Sequence, residues 1–186
     1  MIYNKENFKN MFLYWNQRIS QFKLPEWDEL PVFDLYMDQV IKLLNNYLNL
    51  YTEAADNEKG ITQSMINNYV KLKIIPSPEK KRYSRIHLAY LIIVCVLKQT
   101  LSISTIQNII PLDISEENVK KIYTAFVLNQ IKSYQYVSEN ISNVANLLIE
   151  SEGDNPERLN DLVMQLASSA NIFKMMSEIF CNTKES

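Results

Sequence analysis

The chain has 186 residues, among them two glycines, one histidine and two cysteines, with 47% hydrophobic residues and a formal charge of −2. Two glycines, Gly60 and Gly153, are too few for a phosphate-cradling loop, and the single histidine, His87, excludes paired-histidine zinc sites. Glycine poverty also disfavours tight hairpins, so the composition predicts an all-α, mainly helical chain without a catalytic constellation, and no cofactor or metal is expected.

Residues 5–22 place Phe8, Met11, Phe12, Trp15, Ile19 and Phe22 at three- and four-residue steps, which is one face of a helix with Asn4 as its cap. Pro25 and Pro31 bracket a turn, and a second helix is predicted over about Phe33–Tyr51 from Leu35, Val40, Leu43, Leu44, Tyr47 and Leu48. A polar loop follows over Glu53–Gly60. Thr62 then caps a short helix, Gln63–Leu72. At 100° per residue, Gln63, Ser64, Asn67, Asn68 and Lys71 fall within an arc of about 140°, with Met65, Ile66, Tyr69, Val70 and Leu72 opposite. That polar arc holds amide and hydroxyl groups, not the Glu/Lys mixture of an ordinary solvated face.

Pro76 and Pro78 interrupt any helix, and Ile74, Ile75 and Tyr83 suit short extended segments. Ser84 caps an apolar helix over Arg85–Gln99, and Ser102 or Ser104 caps a short one that stops before Pro111. His87 lies three positions after Ser84, where a capping box has Glu or Gln, and reads as a cap or packing residue. The ten-residue apolar run Leu88–Leu97 is too short for a bilayer, which needs ~20 residues. With the sparse Cys95 and Cys181, this predicts a soluble, cytoplasmic protein with no membrane association.

From Ser115 to Glu152 there is neither proline nor glycine. Tyr123, Val127, Tyr134, Val137, Ile141, Val144 and Leu148 follow alternating steps of four and three once Gln130 is included, a heptad seam that predicts dimerisation along a helix roughly 50 Å long. Gly153 marks a turn, and Asn155-Pro156 opens a last helix to about Phe180 with Leu159, Val163, Leu166, Ala170 and Phe173 at heptad spacing. The two long helices read as an antiparallel helical hairpin.

The charge of −2 conceals a strong asymmetry. Residues 1–60 carry six Lys/Arg against nine Asp/Glu (−3), residues 61–98 seven against one (+6), and residues 99–186 six against eleven (−5). The basic block is Lys71, Lys73, Lys80, Lys81, Arg82, Arg85 and Lys98. An isolated basic run is usually solvated surface. Here it coincides with an amide-rich helix and a proline-containing loop. Asn and Gln hydrogen-bond adenine edges in the major groove, and basic loops hold phosphates.

The stretch Ile61-Thr62-Gln63-Ser64-Met65-Ile66-Asn67-Asn68-Tyr69-Val70-Lys71, then Ile74-Ile75-Pro76, then Lys80-Lys81-Arg82-Tyr83-Ser84, resembles the winged helix-turn-helix of MerR-type regulators. Asn67-Asn68-Tyr69 stands where that family has an Arg-Tyr-Tyr-like segment, so one phosphate-contacting Arg is missing and base preference does not carry over. Leu24-Pro25-Glu26-Trp27, Leu35-Tyr36-Met37-Asp38-Gln39-Val40 and Met65–Lys71 look closer still to domain of unknown function 1836, a family common in low-GC Gram-positive bacteria. The resemblance implies a winged helix-turn-helix with a small β-wing in residues 1–110, and leaves a helical dimerisation or effector region in residues 111–186.

These readings together predict a homodimeric transcription regulator, not an enzyme, that binds double-stranded DNA at half-sites about one helical turn apart. Gln63, Ser64, Asn67, Asn68 and Lys71 would face the major groove, and Lys73, Lys80, Lys81, Arg82, Tyr83 and Arg85 the backbone. The alternative is a protein-interaction module whose basic face binds an acidic partner. Whether a small-molecule effector binds is left open by the sequence.

Overall fold

The computed structural model describes residues 4–54, 60–112, 114–150 and 156–182. Among these residues there are eight α-helices: α1 Lys5–Gln21, α2 Met37–Tyr47, α3 Asn49–Ala54, α4 Gln63–Lys71, α5 Arg85–Leu97, α6 Ile103–Ile109, α7 Glu116–Glu150 and α8 Pro156–Asn182. A 3₁₀ turn covers Trp27–Glu29. The protein is mainly helical. The chain divides into two compact units, Lys23–Asn129 and the pair of segments Met1–Phe22 and Gln130–Ser186. This division differs from a boundary near residue 110, because the first turns of α7 belong to the core of the central unit. Tyr123 is fully buried there, donates its hydroxyl to the Pro25 carbonyl at 2.7 Å and meets Trp27 edge-on.

The centre of this unit is α5. Every residue from His87 to Val96 is buried, as a helix apolar on all sides requires. Each fully buried Leu or Ile contributes about 1.5–3 kcal/mol by leaving water. Helix α2 packs against both α4 and α5 through Val40 and Leu44. Cys95 lies inside α5, and burial pushes its thiol up to about 12.

The second helix begins four residues later than its apolar pattern predicts, at Met37 instead of Phe33, and breaks at Leu48. The reason is tertiary. Leu35 is held extended by two backbone hydrogen bonds to Tyr83, Leu35 N to Tyr83 O at 2.9 Å and Tyr83 N to Leu35 O at 2.8 Å. Phe33 is left exposed. The expected β-wing does not form as a sheet. Among the described residues there are only two isolated antiparallel bridges, Leu35 with Tyr83 and Glu79 with Arg82.

In the other unit, Phe22 packs edge-on against Tyr134 and the Ser138 hydroxyl donates to Asn16 Oδ1 at 2.7 Å. Val137, Ile141 and Val144 of α7 line a groove of about 310 Å³ with Leu162, Leu166 and Phe173 of α8. Nearer the end of α7, Leu148 lines a second groove with Arg158, Asp161 and Leu162. The order is reversed between the two helices, so they run antiparallel. The turn predicted at Gly153 and Asn155 lies outside the described residues. The heptad seam is therefore internal only in part. Tyr123, Val127 and Leu148 are buried, Tyr134 packs on Phe22, and half-buried Ile141 and Val144 line the groove with α8 beside Val137, which is 41% exposed. A heptad stripe requires an apolar cover but does not name it. Among the described residues, no helix is long and apolar enough to cross a membrane.

The cap of α5 has an unusual partner. Ser84 N donates to His87 Nδ1 at 3.1 Å, and His87 Nε2 lies 3.2 Å from the Ser77 carbonyl. An amide can only donate, so Nδ1 carries the lone pair and Nε2–H donates to Ser77. Burial holds the imidazole below its ordinary 6.5, against opposing pulls from the Ser77 carbonyl, Asp34 and Glu79. The unfolded chain thus binds more protons than the folded one just below pH 6.5, and stability falls on acidification through that window. Thermal unfolding between pH 7 and about pH 5 should show this loss. His87→Gln keeps an amide acceptor at the capping position and should show a smaller fall, and an equal fall would contradict the assignment.

Candidate functional site

The exposed polar face of α4 is presented by a helix pinned at both ends. Thr62 Oγ1 accepts from Met65 N at 3.3 Å. Ahead of the cap, Asn45 of α2 grips the Ile61 backbone twice, accepting from its N–H at 2.7 Å and donating to its carbonyl at 3.2 Å. The chain reaches that clamp through Gly60 at φ +51°, where a Cβ would collide with the Asn45 amide. At the other end, Gln107 of α6 donates to the Leu72 carbonyl at 2.7 Å. Ile66 and Tyr69 are buried beneath the helix. Gln63, Ser64, Asn67, Asn68 and Lys71 are all exposed, as the angular pattern predicts. Among the described residues their side chains make no hydrogen bond or ion pair. Leu72, expected on the apolar side, is 40% exposed.

The helix ends in a Schellman closure, with Lys73 N bonded to Val70 O and Ile74 N to Tyr69 O, each at 3.0 Å. The residue that must turn left-handed in this motif is ordinarily glycine. Here it is Lys73, at φ +53°. The same substitution of lysine for glycine recurs in the following turn. Arg82 N donates to Glu79 O at 2.8 Å, and the two residues between, Lys80 and Lys81, have φ of +47° and +64°. Positive φ at both central positions is the type I′ pattern, normally Asn-Gly. A left-handed lysine costs about 1–2 kcal/mol relative to an unstrained residue. All three strained lysines are exposed, and among the described residues none pairs with a carboxylate.

Arg82 is exposed but oriented. Its guanidinium lies 5.3 Å from the centre of the Tyr36 ring and donates to the Tyr36 hydroxyl at 3.1 Å. The Leu35–Tyr83 pairing brings these two neighbours together.

Two expected contact residues are engaged within the protein, Tyr83 buried and Arg85 half-buried. Tyr83 is 3% exposed and meets the His87 ring edge-on, and burial pushes its phenol up. It is a core residue, because the pairing with Leu35 turns its ring inward. Arg85 donates to the Leu30 carbonyl at 2.8 Å, stands over the Trp27 ring at 5.6 Å, and has its Nε buried without a hydrogen-bond partner. It ties the start of α5 to the Trp27 turn. Tyr36, Asn45 and Gln107 position the site without any pattern in the sequence marking them. Gly60, one of two glycines, is the nearest hint of the Asn45 clamp.

The family model described as Domain of unknown function (DUF1836) matches residues 25–126. The chain belongs to this family. The match covers nearly the whole central unit of this DUF1836 protein, Lys23–Asn129, including α4, the lysine turn and the first turns of α7. No curated protein and no solved structure matches the chain.

If the left-handed lysines are strained, replacing them with the residues the turn prefers should relieve the strain. The double variant Lys80→Asn/Lys81→Gly should be more stable than the natural chain by about 1–2 kcal/mol in urea unfolding. Unchanged or lower stability would show that the turn carries no such cost.

Proposed function

We propose that this protein is a double-stranded DNA-binding regulator, with α4 as the reading helix and the Lys80-Lys81-Arg82 turn on the phosphate backbone. The carrying observation is the exposed, unengaged amide face of α4 beside lysines held in costly left-handed backbone. Strained residues persist where the surrounding structure over-determines them, and they cluster at functional sites. The net +6 of residues 61–98 supports the same reading, as does the resemblance to MerR-type winged helices. In this reading the wing is a two-residue turn, not a sheet. Tyr83 and Arg85 support the turn and the start of α5 and do not touch DNA.

The second reading is an acidic protein partner on the same basic face. Salt dependence and sequence preference separate the two. Binding to duplex DNA, followed by fluorescence anisotropy at several salt concentrations, should weaken linearly in a log–log plot. Each neutralised phosphate contributes a slope of about −0.9. Lys80→Ala/Lys81→Ala should reduce the magnitude of that slope by about two. A slope near zero would contradict DNA binding.

We further propose that a second copy associates through the C-terminal half of α8. Ile172, Met175 and Ile179 follow three- and four-residue steps on α8 and are 55%, 51% and 47% exposed, and Phe180 beside them is 62% exposed. Large exposed apolar patches mark interaction sites. Sedimentation should give a dimer for the natural chain and a monomer for Met175→Lys/Ile179→Lys. A monomeric natural chain would overturn this assignment.

A further inference from the structure

We infer that the reading face of α4 selects A·T base pairs, with adenines opposite Asn67 and Gln63; this rests on the DNA-binding reading above. Gln63, Asn67 and Lys71 stand at four-residue steps along one row of the helix, with Ser64 and Asn68 forming a parallel row. At 1.5 Å per residue the first row spans about 12 Å, the length of three to four base pairs at 3.4 Å each.

A carboxamide presents one donor and one acceptor side by side. Adenine's major-groove edge presents the complement, the N7 acceptor and the N6 amino donor. Guanine presents two acceptors, N7 and O6, so the amide oxygen would face O6 and only one bond could form. Helix α4, Gln-Ser-Met-Ile-Asn-Asn-Tyr-Val-Lys, contains no arginine to fork onto guanine and no carboxylate to accept from cytosine N4. Its one cation, Lys71, sits at the C-terminal end.

The amides have no other visible employment. Asn is a weak helix former that ordinarily serves at caps and turns, yet Asn67 and Asn68 lie adjacent within a nine-residue helix. Their side chains are exposed and, among the described residues, bond to nothing.

The test begins by selecting bound duplexes from a random pool with the full chain. Anisotropy then compares adenine, guanine and 7-deazaadenine, which lacks the N7 acceptor, at the selected positions. Adenine should bind about tenfold more tightly than guanine at the position Asn67 reads, and 7-deazaadenine should cost about tenfold. Asn67→Ala should bring both ratios close to one without lowering the thermal midpoint. Asn67→Asp keeps an acceptor and loses the donor, and should shift preference towards cytosine. Salt-dependent binding with guanine selected there, or with no A·T preference, would overturn the adenine inference and leave DNA binding standing. No salt-dependent binding to any duplex would overturn both.

Discussion

The helix Arg85–Leu97 is apolar on every side, so it has no surface to show to water and must be covered all round. Helix α2 packs directly against it. The opening turns of α7 belong to the same core through Tyr123, which meets Trp27. The start of α5 is the sensitive point, since helix ends leave N–H groups that need partners. His87 supplies one by accepting from Ser84, and Arg85 reaches across to Leu30 and Trp27. Just ahead of the Ser84 cap, Tyr83 is bridged to Leu35 through the backbone and the Arg82 guanidinium donates to the Tyr36 hydroxyl. An exposed basic turn is thereby mounted on the most deeply buried element of the unit.

Lysine is a poor choice for left-handed backbone on steric grounds. Three of them occupy it here, all within the chain's one strongly basic block. Two neighbouring backbone devices, the Schellman closure after α4 and the type I′ turn after it, would each be satisfied more cheaply by glycine. A chain with two glycines in 186 residues is sparing of them, yet it spends one, Gly60, where the chain passes the Asn45 clamp.

Much of the helical layout was legible from local rules. The Asn4, Thr62 and Ser102 caps form with their side chains accepting from Asn7, Met65 and Thr105. The angular pattern of residues 63–71 separates buried Ile66 and Tyr69 from the exposed amides. What failed depended on contacts between distant residues. Phe33–Tyr36 has helical apolar spacing, but pairing with a segment forty-eight positions away holds Leu35 extended. Tyr83 looked like a surface aromatic within a basic run and is core for the same reason.

The sequence by itself determined the mainly helical class, the caps, the basic block between acidic flanks and the polar arc of α4, because each follows from neighbours within a turn or two of helix. Only the tertiary structure decided which apolar faces meet each other, that residues 79–82 close a left-handed two-residue turn with only isolated bridges among the described residues, and that the Tyr83 ring is core while Arg85 is tied to Leu30 and Trp27. Periodicity states that a side chain needs cover. Which partner provides it depends on loop closure and packing between segments far apart in the chain, and no local pattern carries that information.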